Sequence, residues 1–507
     1  MGVPTRWLFG DQLGPHFTDD HDGPFLVVES AAVLRRKRFH RQKAHLVFSA
    51  MRHRVAELEA SGREVRFVRA DTYREALGQV DGPLEVMQPT SFAAVRLVER
   101  LAQERELHRL PARGFMTSRD EFTRWVAGLG NRRLLMEDYY RDARRRFGVL
   151  LDDGGGPAGG RWNYDHENRE PPPRGRETLG VPEPWFPQED EIDEGVRRDL
   201  DAMAADGTRF VGRDGPRLFA ATAEEARTAL DAFVTDRLPS FGAHEDAMLA
   251  KDPWLAHSML SAAYNLGLLD PAEAVSRVEA AWRDGSVPLQ SAEGYVRQVI
   301  GWREYMWHLY WHFGDDYRNA NELGHDEPVP DWFDDLDAGA TDARCLSDVL
   351  GGVAERAWVH HIPRLMVLGG YALQRGWNPR KLAEWFHYSF VDGYDWVMTA
   401  NVVGMSQHAD GGLMTTKPYT SGGAYINRMS DYCGDCVFDP KVRVGDNACP
   451  YTAGYWWFMN RHRELFSANP RMRRPLQGLD RLSDVEALLA QEDQRGSRPP
   501  TAASRPS

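Results

Sequence analysis

Along the first 130 residues, short apolar runs alternate with longer stretches in which apolar residues recur every three or four positions. The runs at 7–9, 25–28, 65–68 and 84–87 predict strands, and the stretches at 41–60 and 92–106 predict helices. Strands spaced by helices pack as a parallel sheet covered on both faces, a Rossmann-like α/β domain over residues 1–130. Such sheets bind ligands at their carboxyl edge. Gly10, Asp11, Gln12 and Leu13, which follow the first strand, fall at that edge.

The second half reads differently. From about 195 to 490 the three-to-four spacing dominates, with clear helical faces at 258–269, 294–313, 353–375 and 379–390. Strand-like alternation is nearly absent, so this is an all-α domain. Between the two halves, residues 131–194 form a linker or excursion. It begins with a helix ending in Arg141, Arg144, Arg145 and Arg146 and then loses all periodicity. Residues 151–190 carry seven Gly and seven Pro, too many for regular structure. Within them lies Arg161-Trp162-Asn163-Tyr164-Asp165, an aromatic and polar cluster that a plain tether does not need. The last stretch, 491–507, is rich in Ser, Pro and Ala and is expected to be disordered.

Composition narrows the class. With 507 residues the chain can build two or three cores, and a net charge of −13 argues against an all-over basic coat. A local positive groove for nucleic acid is still compatible with that balance. No run approaches a membrane span, and the start of the chain lacks the apolar core of a signal peptide. The expected setting is the cytoplasm, where four cysteines do not make a disulfide framework.

Those cysteines are Cys345, Cys433, Cys436 and Cys449; the last three read C-x2-C-x12-C, followed at once by Pro450. Two thiolates separated by two residues can grip one metal centre, and two more complete a tetrahedral set. Spacing alone leaves zinc and an iron–sulfur cluster both open, with zinc the simpler reading.

Three further segments change the picture. His257, Ser258, Met259, Leu260 and Ser261 open the 258–269 helix, where hydroxyls and free N–H groups suit a diphosphate. Residues 293–305 carry Glu293 and Arg303. The third segment joins His360, His361 and Arg364 to Asp392-Gly393-Tyr394-Asp395. Together with FGDQL (9–13), FSAMRH (48–53), RWNYDHENR (161–169), GWREYMW (301–307), KPYTSGGAYINRMSDYC (417–433) and ACP (448–450), this order resembles the iron–sulfur bacterial branch of the photolyase and cryptochrome superfamily.

The resemblance implies an α/β antenna domain and an all-helical FAD domain with a four-iron–four-sulfur cluster on the four cysteines, in place of zinc. It also implies a 6,7-dimethyl-8-ribityllumazine antenna. Ser258 to Ser261, with His257, would hold the FAD phosphates. Arg303, Glu293, Asp395 and Asn401 would contact the cofactor, and Arg364 would pair with Asp392 beside the isoalloxazine. His361 would be the catalytic histidine and His360 its support; Tyr419 and Met405 would line the lesion pocket. Gly10 to Leu13, Glu29 and Ser30 would hold the antenna, while Arg144, Arg145, Arg146, Arg161 and Trp162 would bind DNA.

The chain departs from the family pattern in two places. The Trp nearest before Cys345 is Trp332, 13 residues away, so the photoreduction relay is expected to be rerouted, starting at Trp385. A second position stays open, since either Met398 or Asn401 can face flavin N5. The expected activity is light-driven repair of pyrimidine (6-4) pyrimidone lesions in UV-damaged DNA by a monomer. Electron transfer from reduced FAD would be combined with a proton from His361. The rivals are a blue-light photoreceptor without repair and a DNA-binding iron–sulfur protein of the primase kind. A cyclobutane-dimer photolyase fits less well, because it needs no histidine at 361.

Overall fold

The computed structural model describes residues 3–502. Five parallel strands form the N-terminal sheet: β1 Thr5–Leu8, β2 Phe25–Ser30, β3 Val65–Ala70, β4 Leu84–Met87 and β5 Leu107–Leu110. Their order is β3-β2-β1-β4-β5, with Trp7 paired to Leu26 on one side and Val86 on the other. Side chains alternate across the sheet. Trp7, Leu26, Val28 and Val86 enter a small core, while Leu8, Phe25, Val27 and Met87 join the main one. Burial on both faces is what parallel strands require.

β5 was not anticipated. Its sequence LHRL is half polar and pairs only with β4, so its alternation follows an exposed edge and the predicted helix stops at Ala102.

The helix Arg41–Ala60 stitches the two halves together. His45 Nε2 lies 3.0 Å from the carbonyl of Asp193, and His40 Nε2 lies 3.1 Å from that of Ala354. Lys43 reaches furthest, donating to the carbonyls of His387, at 2.5 Å, and Gly393. Burial pulls the pKa of Lys43 down to about 7, against the pull of Asp392.

Residues 151–190 are irregular, yet they are not a loose tether. Tyr164 N donates to Glu293 at 2.9 Å, and Asn168 Nδ2 to the carbonyl of Gln290 at 3.3 Å. The chain end also differs from expectation. A helix runs over Val485–Arg495, held by a fully buried Arg375–Glu492 ion pair at 2.8 Å. Ser497 then accepts the indole N–H groups of Trp332 and Trp377, each at 3.0 Å. Order therefore extends through 502, and only 503–507, the rest of the expected disordered tail, lies outside the described residues. Among the described residues no helix is long and apolar enough to cross a membrane.

Candidate active site and cysteine centre

Four π-helical stretches interrupt the helical domain: Phe233–Arg237, Arg297–Arg303, Pro363–Gly369 and Thr399–Ser406. Each extra residue in a turn pushes one side of the helix outward, and such bulges concentrate at functional sites. These four carry Arg237, Arg303, Arg364, Asn401 and Met405.

Arg364 and Asp392 form the expected pair, bidentate at 2.8 and 3.0 Å. Asp392 is further fixed by Ser261 Oγ at 2.7 Å, and its carbonyl accepts from Asn265 Nδ2 at 2.9 Å. The guanidinium of Arg364 covers Phe390, which packs 5.9 Å from the buried Trp385. Gly393 makes the turn possible. A Cβ there would meet the carbonyl of Phe386 at 2.5 Å.

The helix expected from Ser258 is shorter than its pattern suggests. Met259 has φ of 61°, which breaks the turn, so the helix covers only Ser261–Asn265. The broken turn is useful. Ser258, Met259 and Leu260 line a cleft shared with Arg237, Trp185 and Phe219. Arg237 is buried and donates only to main-chain carbonyls, among them those of His257, at 3.2 Å, and Leu255, at 2.6 Å. Burial lowers its pKa to about 10, opposed by the charges of Asp252, Asp236 and Glu183. A buried guanidinium without a carboxylate contact beside exposed backbone and hydroxyls fits a diphosphate.

Next to this cleft stands a histidine cluster. His257 and His360 are buried and stacked, with centroids 4.3 Å apart, and His361 meets His257 edge-on at 5.6 Å. Burial and neighbouring positive charge hold His257 and His360 well below the ordinary imidazole pKa, so both stay neutral. His361 goes the other way. Burial opposes its charge, but the hydrogen bond to Asp246 and the charges of Glu245 and Asp246 prevail and raise its pKa. Its side chain is 48% exposed and sits 3.5 Å from Asp246. Tyr419 is also exposed.

Several expected contacts are already taken. Glu293 is fully buried, bound by Tyr140 Oη and Tyr164 N, both at 2.9 Å, so it anchors the 161–169 segment and has no oxygen left for a cofactor. Asp395 is held by Tyr310 at 2.6 Å and Arg318 at 2.9 Å, apart from the Arg364 pair. Arg303 reaches the carbonyl of Gly114 at 3.0 Å and covers Phe115, which makes it an interdomain contact. Asn401 Nδ2 donates to the carbonyl of Val397 at 2.8 Å, and Met405 packs against the Trp307–Trp396 cluster.

The arginine run is likewise corrected. Arg144 is fully buried and serves the carbonyls of Val149, Leu150 and Trp162, because the chain turns at Gly148 and folds back over it. Arg146 is paired with Asp142 at 2.8 Å, and Arg161 with Glu167 at 2.5 Å. Arg145 is exposed and lies over Trp162 at 4.4 Å. A charge count along the sequence cannot distinguish these neighbours.

At the carboxyl edge of the sheet, Asp11 accepts from Thr90 and is raised to about 6, burial outweighing that hydrogen bond. Gln12 donates to the carbonyl of Met87 at 3.4 Å, and Leu13 N to that of Leu266 at 3.1 Å. Gly10 packs on the helix Arg41–Ala60, where a Cβ would be 3.2 Å from Met51. Glu29 has both oxygens on Arg52, at 2.8 and 2.9 Å, and Ser30 bonds the carbonyl of Asp71 at 2.9 Å. These two tie the sheet together and are not free for a ligand.

The four cysteines converge on one apolar-walled cavity with Ile426, Phe438 and Tyr451. Cys345 starts the helix Arg344–Arg356 and Cys449 caps Pro450–Arg461, so two thiols sit at helix N-termini, where thiolate is favoured. Burial, then the mutual repulsion of the four, holds Cys345 far above the ordinary thiol value; Cys433 is pushed to about 12. Such a set ionises only around a cation. Two donor triplets among the described residues lie close enough together to share a single ion: His257–His360–His361 and His53–Asp190–Asp193. The cysteine set is not one of them.

A family model described as deoxyribodipyrimidine photo-lyase-related protein matches residues 6–208. Among solved structures, a class III photolyase from Agrobacterium tumefaciens superposes with a TM-score of 0.51 and 16% identity, over 81% of this chain and 80% of that one. The Synechocystis cryptochrome gives 0.51 and 12%, over 79% and 82%. The two-domain fold is thus that of photolyases and cryptochromes. The (6-4) photolyase of Agrobacterium fabrum is 38% identical over 495 residues, 94% of this chain and 95% of that one. The chain belongs to the photolyase family that includes this enzyme. FAD is the cofactor of that family, and the Arg237 cleft with the Arg364–Asp392 pair suits it.

Sequence reasoning missed Arg237, Asp246 and Lys43. None sits in a pattern; each acquires its role from chain segments distant in sequence.

Proposed function

We propose that this protein repairs pyrimidine (6-4) pyrimidone photoproducts in UV-damaged DNA, driven by light through reduced FAD. The observation that carries the reading is His361, a half-exposed histidine next to the Arg364–Asp392 pair, whose pKa is raised by its hydrogen bond to Asp246 and the charge of Glu245. Its (6-4) photolyase relative supports the same lesion.

Bound and reduced, FAD supplies a light-driven electron. The remaining work falls to the chain. Arg237 and the backbone of residues 257–261 would grip the diphosphate, and Arg364, oriented by Asp392, would face the isoalloxazine. His361 would give its proton to the lesion so that the transferred hydroxyl can return to its original base. A positioned acid contributes ~10²–10⁴-fold. The lesion must leave the stack to reach it, and poor pairing at damaged bases lowers that cost. Arg145 with Trp162 is the strongest remaining phosphate contact, Arg161 a weaker one, and Tyr419 lines the lesion pocket.

The cysteines would hold a four-iron–four-sulfur cluster. Four cysteines gathered around one apolar-walled cavity are the donor set such a cluster takes. Gly10, Asp11, Gln12 and Leu13 would hold the lumazine antenna. The protein would act as a cytoplasmic monomer.

Illuminating the reduced protein with an oligonucleotide containing one (6-4) lesion tests the proposal. Restored thymines are expected. An intact lesion would favour the photoreceptor reading.

A further inference from the structure

We infer that His257, His360 and His361 form a binding site for one divalent transition-metal ion of borderline softness, such as Zn²⁺, Co²⁺ or Ni²⁺. Each offers a ring nitrogen, and the three nitrogens lie within 4.8 Å of one another. Imidazole–zinc bonds of ~2.0–2.1 Å place tetrahedral nitrogens roughly 3.3 Å apart. The His257 and His360 rings now stack at 22°, so binding would turn them to aim both nitrogens at one point.

A second observation points to a ligand. His257 Nε2 and His360 Nδ1 are buried and have no hydrogen-bond partner, although their side chains are only 8% and 5% exposed. Buried polar atoms are rarely left unpaired without a reason. The third ligand has the arrangement of a metal-bound histidine. His361 Nε2 lies 3.5 Å from Asp246, which orients the ring. A carboxylate behind the imidazole is the usual outer partner of such a ligand.

The surroundings select the ion. The site offers nitrogen and no carboxylate in direct contact, so Mg²⁺ and Ca²⁺, which take oxygen ligands, are disfavoured. Asp246 and Glu245 supply countercharge from one side, while Arg364 and Arg237 oppose the ion from the other. Only an ion that bonds strongly to neutral imidazole outweighs that opposition. Because His361 is half exposed, a fourth position opens toward solvent and would hold water. The ion and the catalytic proton compete for the same imidazole, so metal loading inhibits repair. This last consequence, unlike the site itself, rests on the repair reading.

The test uses the FAD- and cluster-loaded protein titrated with Co²⁺ alone. One ion per chain is expected, with visible d–d absorption and an X-ray absorption first shell of nitrogen and oxygen. His257→Ala and His360→Ala should each weaken binding at least about tenfold, and His108→Ala, a surface change, should not. No binding, a first shell containing sulfur, or unchanged affinity in both variants overturns the site. The absorption measurement needs no variant, so misfolding of a mutant cannot mask the answer. Adding Co²⁺ should also suppress repair, and a chelator should restore it. Bound Co²⁺ with undiminished repair supports the site while removing the acid role from His361.

Discussion

Arg364 and Asp392 meet through two nearly parallel hydrogen bonds, Nη1 to Oδ1 and Nη2 to Oδ2, although 28 residues separate them. Ser261 holds the Asp392 carboxylate and Asn265 its main-chain carbonyl, so Asp392 links Arg364 to the 258–265 segment, the two parts of the proposed flavin site. Breaking a buried pair by removing one partner costs about 3–5 kcal/mol. Asp392→Asn should therefore purify with little flavin, measured as the flavin-to-protein absorbance ratio. Arg364→Lys should keep the charge but lose the fork, and retain an intermediate amount.

Repair should depend on pH through His361. Its pKa is raised above the ordinary value, so the active, protonated form is present at low pH and is lost as pH rises through that elevated value. Asp246→Asn removes a raising influence and should move this limb to lower pH. His361→Ala should keep flavin and DNA affinity yet lose repair by ~10²-fold or more. A pH profile identical in Asp246→Asn and the unsubstituted protein would contradict the coupling.

The cysteine centre makes a compositional prediction. About four iron and four sulfide per chain are expected for a cubane cluster. Cys345→Ser should yield mostly insoluble protein, because metal binding and folding are linked across this loop. Stoichiometric zinc without sulfide would return the centre to a mononuclear site.

Neighbouring arginines should separate cleanly. Arg144→Ala strips three buried carbonyls of their partner and should cost about 2–4 kcal/mol of stability, seen as a lower denaturation midpoint. Arg145→Ala should leave stability nearly unchanged. It should weaken damaged and intact DNA alike and reduce the log–log salt slope by roughly 0.9. An unchanged slope would make Arg145 an ordinary solvated residue.

Much of this was readable in advance where local pattern and tertiary burial agree. Four of the five strands announce themselves as short runs rich in Val, Leu, Phe or Trp; β5, LHRL at an edge of the sheet, carries too few apolar residues to stand out. The cysteines are legible from spacing, and the fold brings all four to one cavity. The stretch 258–269 was misread because a left-handed Met259 leaves no trace in hydrophobic periodicity. Glu293 and Arg144 look like functional charges in a string of letters, yet Glu293 is bound by Tyr140 Oη and Tyr164 N, and Arg144 by main-chain carbonyls, partners that only the folded chain supplies. His361 stood out by resemblance. Asp246, which tunes it, lies in an irregular loop with no pattern to mark it.

A stretch far along the chain reaches back to the start of the helix that presents Cys345. Pro500 accepts hydrogen bonds from Asp342 N at 2.8 Å and Thr341 Oγ1 at 3.0 Å, directly before that helix. Ala343, the next residue, lines the cysteine cavity itself. A disturbance at position 500 is therefore felt at the Cys345 thiol although no cysteine is touched.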